Sequence, residues 1–82
     1  MTLRSALTVV LAVRRGRVDP HTVRTMFNAA GSRSSDALRL AQAQLDSLER
    51  GGYLVRNEVQ GSYHPTAKGL ELVYQLRQRF GA

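Results

Sequence analysis

Leu45-Asp46-Ser47-Leu48-Glu49-Arg50-Gly51-Gly52-Tyr53-Leu54-Val55-Arg56, followed shortly by Tyr63-His64-Pro65-Thr66-Ala67-Lys68-Gly69-Leu70-Glu71-Leu72-Val73, is the stretch that decides the fold. Leu45 and Leu48 belong to the last turns of an amphipathic helix. The double glycine stops it, because glycine enters the left-handed closing conformation without a Cβ penalty. Tyr53-Leu54-Val55-Arg56 and Ser62-Tyr63-His64 have strand composition, and Gly61 supplies the permissive turn residue between them. Pro65 has no backbone donor and ends the second strand. Thr66 caps a last helix on which Leu70, Val73, Leu76 or the Arg77 stem, and Phe80 recur at three or four residues, while Leu72 and Tyr74 fall off that stripe.

Working outward toward the N-terminus, Thr2 to Arg14 or Arg15 places Leu3, Leu7, Val10 and Leu11 at helical spacing, and Gly16 ends that helix. Asp19-Pro20 starts a second helix, since aspartate caps and proline fits the first helical position. Val23, Met26 and Phe27 are expected inward on it, and Gly31 closes it after Asn28 or Ala30. Only Ser32, Arg33 and Ser34 or Ser35 separate that glycine from a third helix. A helix-turn-helix pair is the result. On the third helix Leu38, Ala41, Leu45 and Leu48 form the inward stripe. Its opposite side carries Arg39, Gln42, Ala43, Asp46, Ser47 and Arg50, few of them bulky, as a helix lying in a DNA major groove about 12 Å wide requires.

With 82 residues, 43% apolar and 22% charged, one folded domain spanning residues 1–82 is expected. The formal charge is +6, and eleven of the twelve cations are arginine, a residue suited to bidentate contact with phosphate and guanine edges. Nucleic acid is one source of such a balance; solubility or an acidic protein partner is the other. The chain has no cysteine, which excludes disulfides and thiolate metal sites and suits a reducing cytoplasm. The apolar run Leu3 to Val13 holds Arg4, Ser5 and Thr8 and lacks a cleavage pattern, so it reads as a buried helix and not a signal peptide. It is also too short for a bilayer.

Chemistry-bearing patterns are sparse. His21 and His64 stand far apart with no ligand partner at metal-binding spacing, no nucleophile elbow or glycine-rich phosphate loop occurs, and no carboxylate pair sits among burial cues. Neither a metal, a cofactor nor an enzymatic activity is expected.

The two runs quoted at the outset resemble the small bacterial winged helix-turn-helix regulators of the MarR, PadR and ArsR type. In these a helix ends in a Leu-Glu-x-x-Gly-Tyr/Leu-Leu/Val-like run, here Leu48 to Val55, and a wing returns to a Thr-x-x-Gly-x-x-Leu helix, here Thr66 to Leu72. The resemblance spans roughly Val18 to Val73. It implies a mainly α fold with a small β-hairpin in the order α-α-α-β-β-α, and sequence-specific binding of double-stranded DNA by a homodimeric cytoplasmic, nucleoid-associated repressor of bacterial or phage origin. The recognition helix is about 35–50. Near its start and along its outer face Arg33, Ser34, Ser35, Arg39, Gln42 and Ala43 would meet bases and phosphates. Arg14, Arg15, Arg17, Arg24 and Arg56 would neutralise further phosphates. The wing tip departs from the pattern: Asn57-Glu58-Val59-Gln60-Gly61-Ser62 offers an acid and no arginine.

Each of these residues also has a plainer role. Arg39 can pair with guanine, with phosphate, or with Asp36 or Asp46 on a solvated face. Gln42 can read adenine or serve as an ordinary helix former. Arg14, Arg15 and Arg17 can clamp phosphate or favour the C-terminal end of a helix dipole. Leu3, Val10, Leu72, Tyr74, Leu76 and Phe80 supply more apolar surface than one small core needs; a two-fold dimer of the terminal helices would bury it, and packing of those helices within one chain is the alternative. A protein-interaction module docking a bacterial or phage partner competes with DNA binding, and the acidic wing tip and Asp46 favour it.

Overall fold

Capping chemistry sets the element boundaries. The structure, a computed structural model, describes residues 2–29 and 37–80, excluding the side chains of 27–29; Gly31, Arg33, Ser34, Ser35 and Asp36 lie outside the described residues. Thr2 accepts a 3.1 Å bond from the Ser5 amide to open α1 (Leu3–Arg15), and Gly16, at φ 85°, closes it. Asp19 Oδ1 accepts from the Thr22 amide at 2.8 Å and from its hydroxyl at 3.1 Å, opening α2 (Pro20–Ala29). The amide bond of Thr22, above all, holds the Asp19 carboxyl below its ordinary pKa, with partial burial opposing and the Thr22 hydroxyl assisting.

That cap has a measurable pH signature. A carboxyl with a depressed folded-state pKa adds stability above its unfolded pKa, about 3.9, and loses it as the pH falls further. Asp19→Ala is expected to cost about 1 kcal/mol at neutral pH. The gap between wild-type and variant denaturation midpoints should narrow as the pH falls below about 3.9; a gap that stays constant down to about pH 2 refutes the assignment.

The double glycine works as its composition suggests. At the end of α3 (Ala37–Arg50), Tyr53 N–H donates to Leu48 O and Gly52 N–H to Glu49 O, both at 3.0 Å, with Gly52 at φ 85°. These two bonds satisfy the last carbonyls and reverse the chain. It then enters β1 (Leu54–Asn57), which pairs antiparallel with β2 (Ser62–Pro65) in the register Leu54↔Pro65, Val55↔His64, Arg56↔Tyr63, Asn57↔Ser62. The Asn57 side chain accepts from the Val59 and Gln60 amides and shapes the return, which ends at Gly61, φ 65°. Thr66 caps α4 (Ala67–Phe80) by accepting from Gly69 N–H at 3.2 Å, and its hydroxyl donates to Gly52 O. Among the described residues, four helices and a two-stranded antiparallel hairpin therefore follow one another in the expected order.

One strand-like contribution went unread in the sequence. Val18, between α1 and α2, pairs antiparallel with Tyr63: Val18 N–H donates to Tyr63 O at 2.9 Å and Tyr63 N–H to Val18 O at 2.7 Å. A single paired residue leaves no alternating pattern to recognise. His64 Nδ1 lies 3.2 Å from Gly16 O and secures the same segment.

The core gathers Val9, Ala12, Val18, Val23, Ala41, Leu45, Leu48, Leu54, Tyr63 and Val73. It differs from the expected stripes in three helices. In α1 the buried face is Thr8, Val9 and Ala12, while Leu3 is 75% exposed and Leu7 46%. Thr8 tolerates complete burial because its hydroxyl donates to Arg4 O at 2.8 Å. In α3, Leu38 is exposed and Ala37 takes its place. In α4, Leu70 and Phe80 are exposed, whereas Leu72 packs half-buried against the core. The cause is Gly69: a Cβ there would lie 2.4 Å from Tyr53 O and 3.6 Å from Val9 Cγ1, so α4 presses its glycine ridge, not its leucine ridge, against the sheet.

Candidate nucleic-acid interface

The buried residues of α3, Ala37, Ala41, Leu45 and Leu48, leave Arg39, Ala43, Ser47 and Arg50 exposed on the far side. Ala43 keeps that side low, and Arg39 and Arg50 supply cations at its two ends. One flank of the helix is tied to α1 by a 2.7 Å bond from Gln44 Nε2 to Ser5 Oγ. The other flank is tied to the hairpin.

That second tie corrects the placement of Gln42 and Asp46, both expected on the outer side. Both are half-buried. Gln42 Nε2 donates to Tyr63 Oη at 2.7 Å and to Asp46 Oδ1 at 2.9 Å, and Tyr63 Oη donates to Asp46 Oδ1 at 3.0 Å. Glutamine and aspartate at i, i+4 share a helix face, and the tyrosine reaches them from β2. Asp46 thus accepts from two neutral donors, the Gln42 amide and the Tyr63 hydroxyl. Tyr63 is the neighbour of α3 that sequence reasoning missed; its place in a short strand that ends on a proline carried no sign that its hydroxyl would meet α3.

Burial, reinforced by the bond to Asp46, raises the Tyr63 phenol above its ordinary pKa, with the Gln42 amide opposing. A group whose folded-state pKa is raised stabilises the fold below its unfolded value, about 10, and withdraws that contribution as the pH climbs past it. Tyr63→Phe should cost about 1 kcal/mol at pH 7. Its stability should also fall less steeply than wild type between about pH 10 and 11, followed by urea denaturation. Parallel curves would sink the assignment.

Partners across an antiparallel pair point to the same side. Arg56 faces Tyr63 in the register, so its exposed side chain leaves the hairpin on the side of α3. The three cations after α1 are dispersed. Arg17 donates to Gln60 Oε1 at 3.3 Å, which brings it to the hairpin return, whereas Arg14 lines the groove between α1 and α4 beside Arg77, and Arg15 is exposed. Arg24 is half-buried in α2, and its Nε is buried without a hydrogen-bond partner. At the return itself Glu58 is exposed and Val59 is 96% exposed.

Of the residues expected at a dimer interface, Leu3, Val10, Leu76 and Phe80 line one open groove of about 610 Å³ between α1 and α4, together with Leu7 and Val13. Tyr74 lines an adjoining hollow of about 540 Å³ with Leu70 and Val73. Leu72 packs half-buried against the core and lines neither hollow. No helix among the described residues is long and apolar enough to cross a membrane. Set against protein-family models, curated proteins and solved structures, the chain matches none.

Proposed function

We propose that this chain is a small homodimeric winged helix-turn-helix regulator, a cytoplasmic repressor that binds double-stranded DNA sequence-specifically with α3 in the major groove. The observation that carries the reading is the outer side of α3. Arg39, Ala43, Ser47 and Arg50 are all exposed there, and Arg56 borders that helix from the hairpin, in a chain of formal charge +6. A low side with arginines at its ends suits a groove, and arginine suits both phosphate and guanine. Val18 gives the hairpin a third neighbour at Tyr63, whose hydroxyl is bonded to α3. Pairing of two chains along the α1/α4 groove would bury Leu3, Leu7, Val10, Leu76 and Phe80. Such a dimer sets its two recognition helices about 34 Å apart, one turn of DNA, and represses by occupying its site.

Ala43→Glu tests this with little risk to the fold, because the position is exposed on a helix. A gel shift at low salt should retard duplex with the wild-type chain and not with the variant. Absence of any retardation by the wild type would remove the hypothesis.

The exposed Val59 beside Glu58 favours a second reading, a winged-helix module that docks a protein through its wing. Under it, Val59→Ser and Glu58→Lys would abolish capture of a partner, while Ala43→Glu would leave it intact.

A further inference from the structure

The three side chains that join α3 to the hairpin restrict what α3 can offer a base. The Gln42 amide nitrogen carries two hydrogens, and it donates to Tyr63 Oη and to Asp46 Oδ1. Its orientation follows from chemistry, since an amide oxygen in that place would face a carboxylate oxygen at 2.9 Å. The tyrosine hydrogen goes to the same carboxylate oxygen. Tyr63 cannot yield, because it is 1% exposed and its backbone is paired to both Val18 and Arg56. The donors of Gln42 and Tyr63 are thereby consumed. What remains is Gln42 Oε1 and Asp46 Oδ2, both acceptors. Neither oxygen is a buried atom without a partner, and both belong to half-buried side chains.

In the major groove, cytosine shows an N4 amino donor, adenine an N6 donor beside the N7 acceptor, guanine the acceptors N7 and O6, and thymine the acceptor O4. Resting on the DNA-binding reading above, we infer that Gln42 and Asp46, on the hairpin flank of α3, act on a base pair that reaches this flank solely as hydrogen-bond acceptors, selecting cytosine, then adenine, and rejecting guanine and thymine. The bidentate grip on adenine that glutamine makes elsewhere needs an amide hydrogen that is here committed to Tyr63 or Asp46. Rejection arises because two oxygens brought against O6 or O4 lose their water and gain no donor.

Selection of bound duplex from a random pool tests the inference, using the wild-type chain, Gln42→Leu and Tyr63→Phe. The wild type is expected to enrich a position at which cytosine outnumbers guanine and thymine by roughly tenfold. Gln42→Leu should flatten that position and leave the rest of the site intact. Tyr63→Phe releases one amide hydrogen and should move the same position toward adenine. If Tyr63→Phe fails to fold, the half-exposed Gln42→Leu decides alone. Recovery of no duplex by the wild type overturns the DNA-binding reading and this inference with it. Recovery of a defined site that Gln42→Leu leaves unchanged at every position, or that carries guanine or thymine at the affected one, overturns the inference only.

Discussion

Affinity for duplex DNA is expected to fall roughly a thousandfold as monovalent salt rises from about 50 to about 200 mM. Each phosphate neutralised by a cation releases condensed counterions, so the logarithm of affinity declines with the logarithm of salt at about 0.9 per contact. Arg17 at the hairpin return, Arg39 on α3 and Arg56 facing Tyr63 are the cations best placed around the proposed interface. Two protomers then supply about six contacts, which sets the thousandfold figure. Arg56→Ala should lower the slope by about two in the dimer and weaken all duplexes alike, as loss of a phosphate contact does. Arg39→Ala should weaken the preferred site more than random duplex, if its guanidinium meets a base edge. Fluorescence anisotropy across a salt series measures both. Affinity that barely changes with salt would be incompatible with α3 lying against a polyanion.

Gly69→Ala is expected to destabilise the fold by about 2 kcal/mol, against the sign that helix propensity alone gives. Alanine inside an exposed helix normally gains about 1 kcal/mol over glycine. Here the added methyl would sit 2.4 Å from Tyr53 O, a backbone atom just before β1 that cannot turn aside as a side chain would. Relief requires α4 to move off the sheet, and Val9 and Val73 lose contacts when it does. For a chain of this length that cost corresponds to a midpoint lowered by about 10 °C. Glu71→Ala, exposed on the same helix, serves as the propensity control and should change stability little. A Gly69→Ala protein that melts at or above the wild-type temperature would show that the close approach is not maintained in solution.

The two effects have different origins. Gly69 positions α4 behind the sheet, whereas Arg17, Arg39 and Arg56 lie around α3 and the hairpin, so Gly69→Ala leaves these cations in place and reaches duplex binding only through α4 and the α1/α4 groove that the proposed dimer uses.

Much of the fold was legible because its boundaries rest on local chemistry. Asp19-Pro20, Gly51-Gly52, Gly61 and Thr66 act through bonds to residues within a few positions, and the sequence displays all the participants. The helix faces were less legible. Spacing identifies a stripe of leucines in α1 and α4, yet two stripes competed in each helix: in α1 the side with Val9 and Ala12 was buried, and in α4 Gly69 decided which side faced the core by letting backbones approach. The leucine stripe left outside forms the groove that the dimer reading uses.

The candidate site divides in the same way. Arg39, Ala43, Ser47 and Arg50 could be placed on the outer side of α3 from periodicity alone, since 100° per residue fixes which positions oppose Ala41, Leu45 and Leu48. Gln42 and Asp46 could not, because their partner Tyr63 comes from β2 and is delivered by strand register and by the Val18 pairing. Element order, caps and net charge were thus determined by the sequence itself, through short-range bonds and composition. Which apolar face was buried, and which polar hydrogens were already spent, was decided only in the tertiary structure, where residues distant in the chain compete for the same space and the same acceptors.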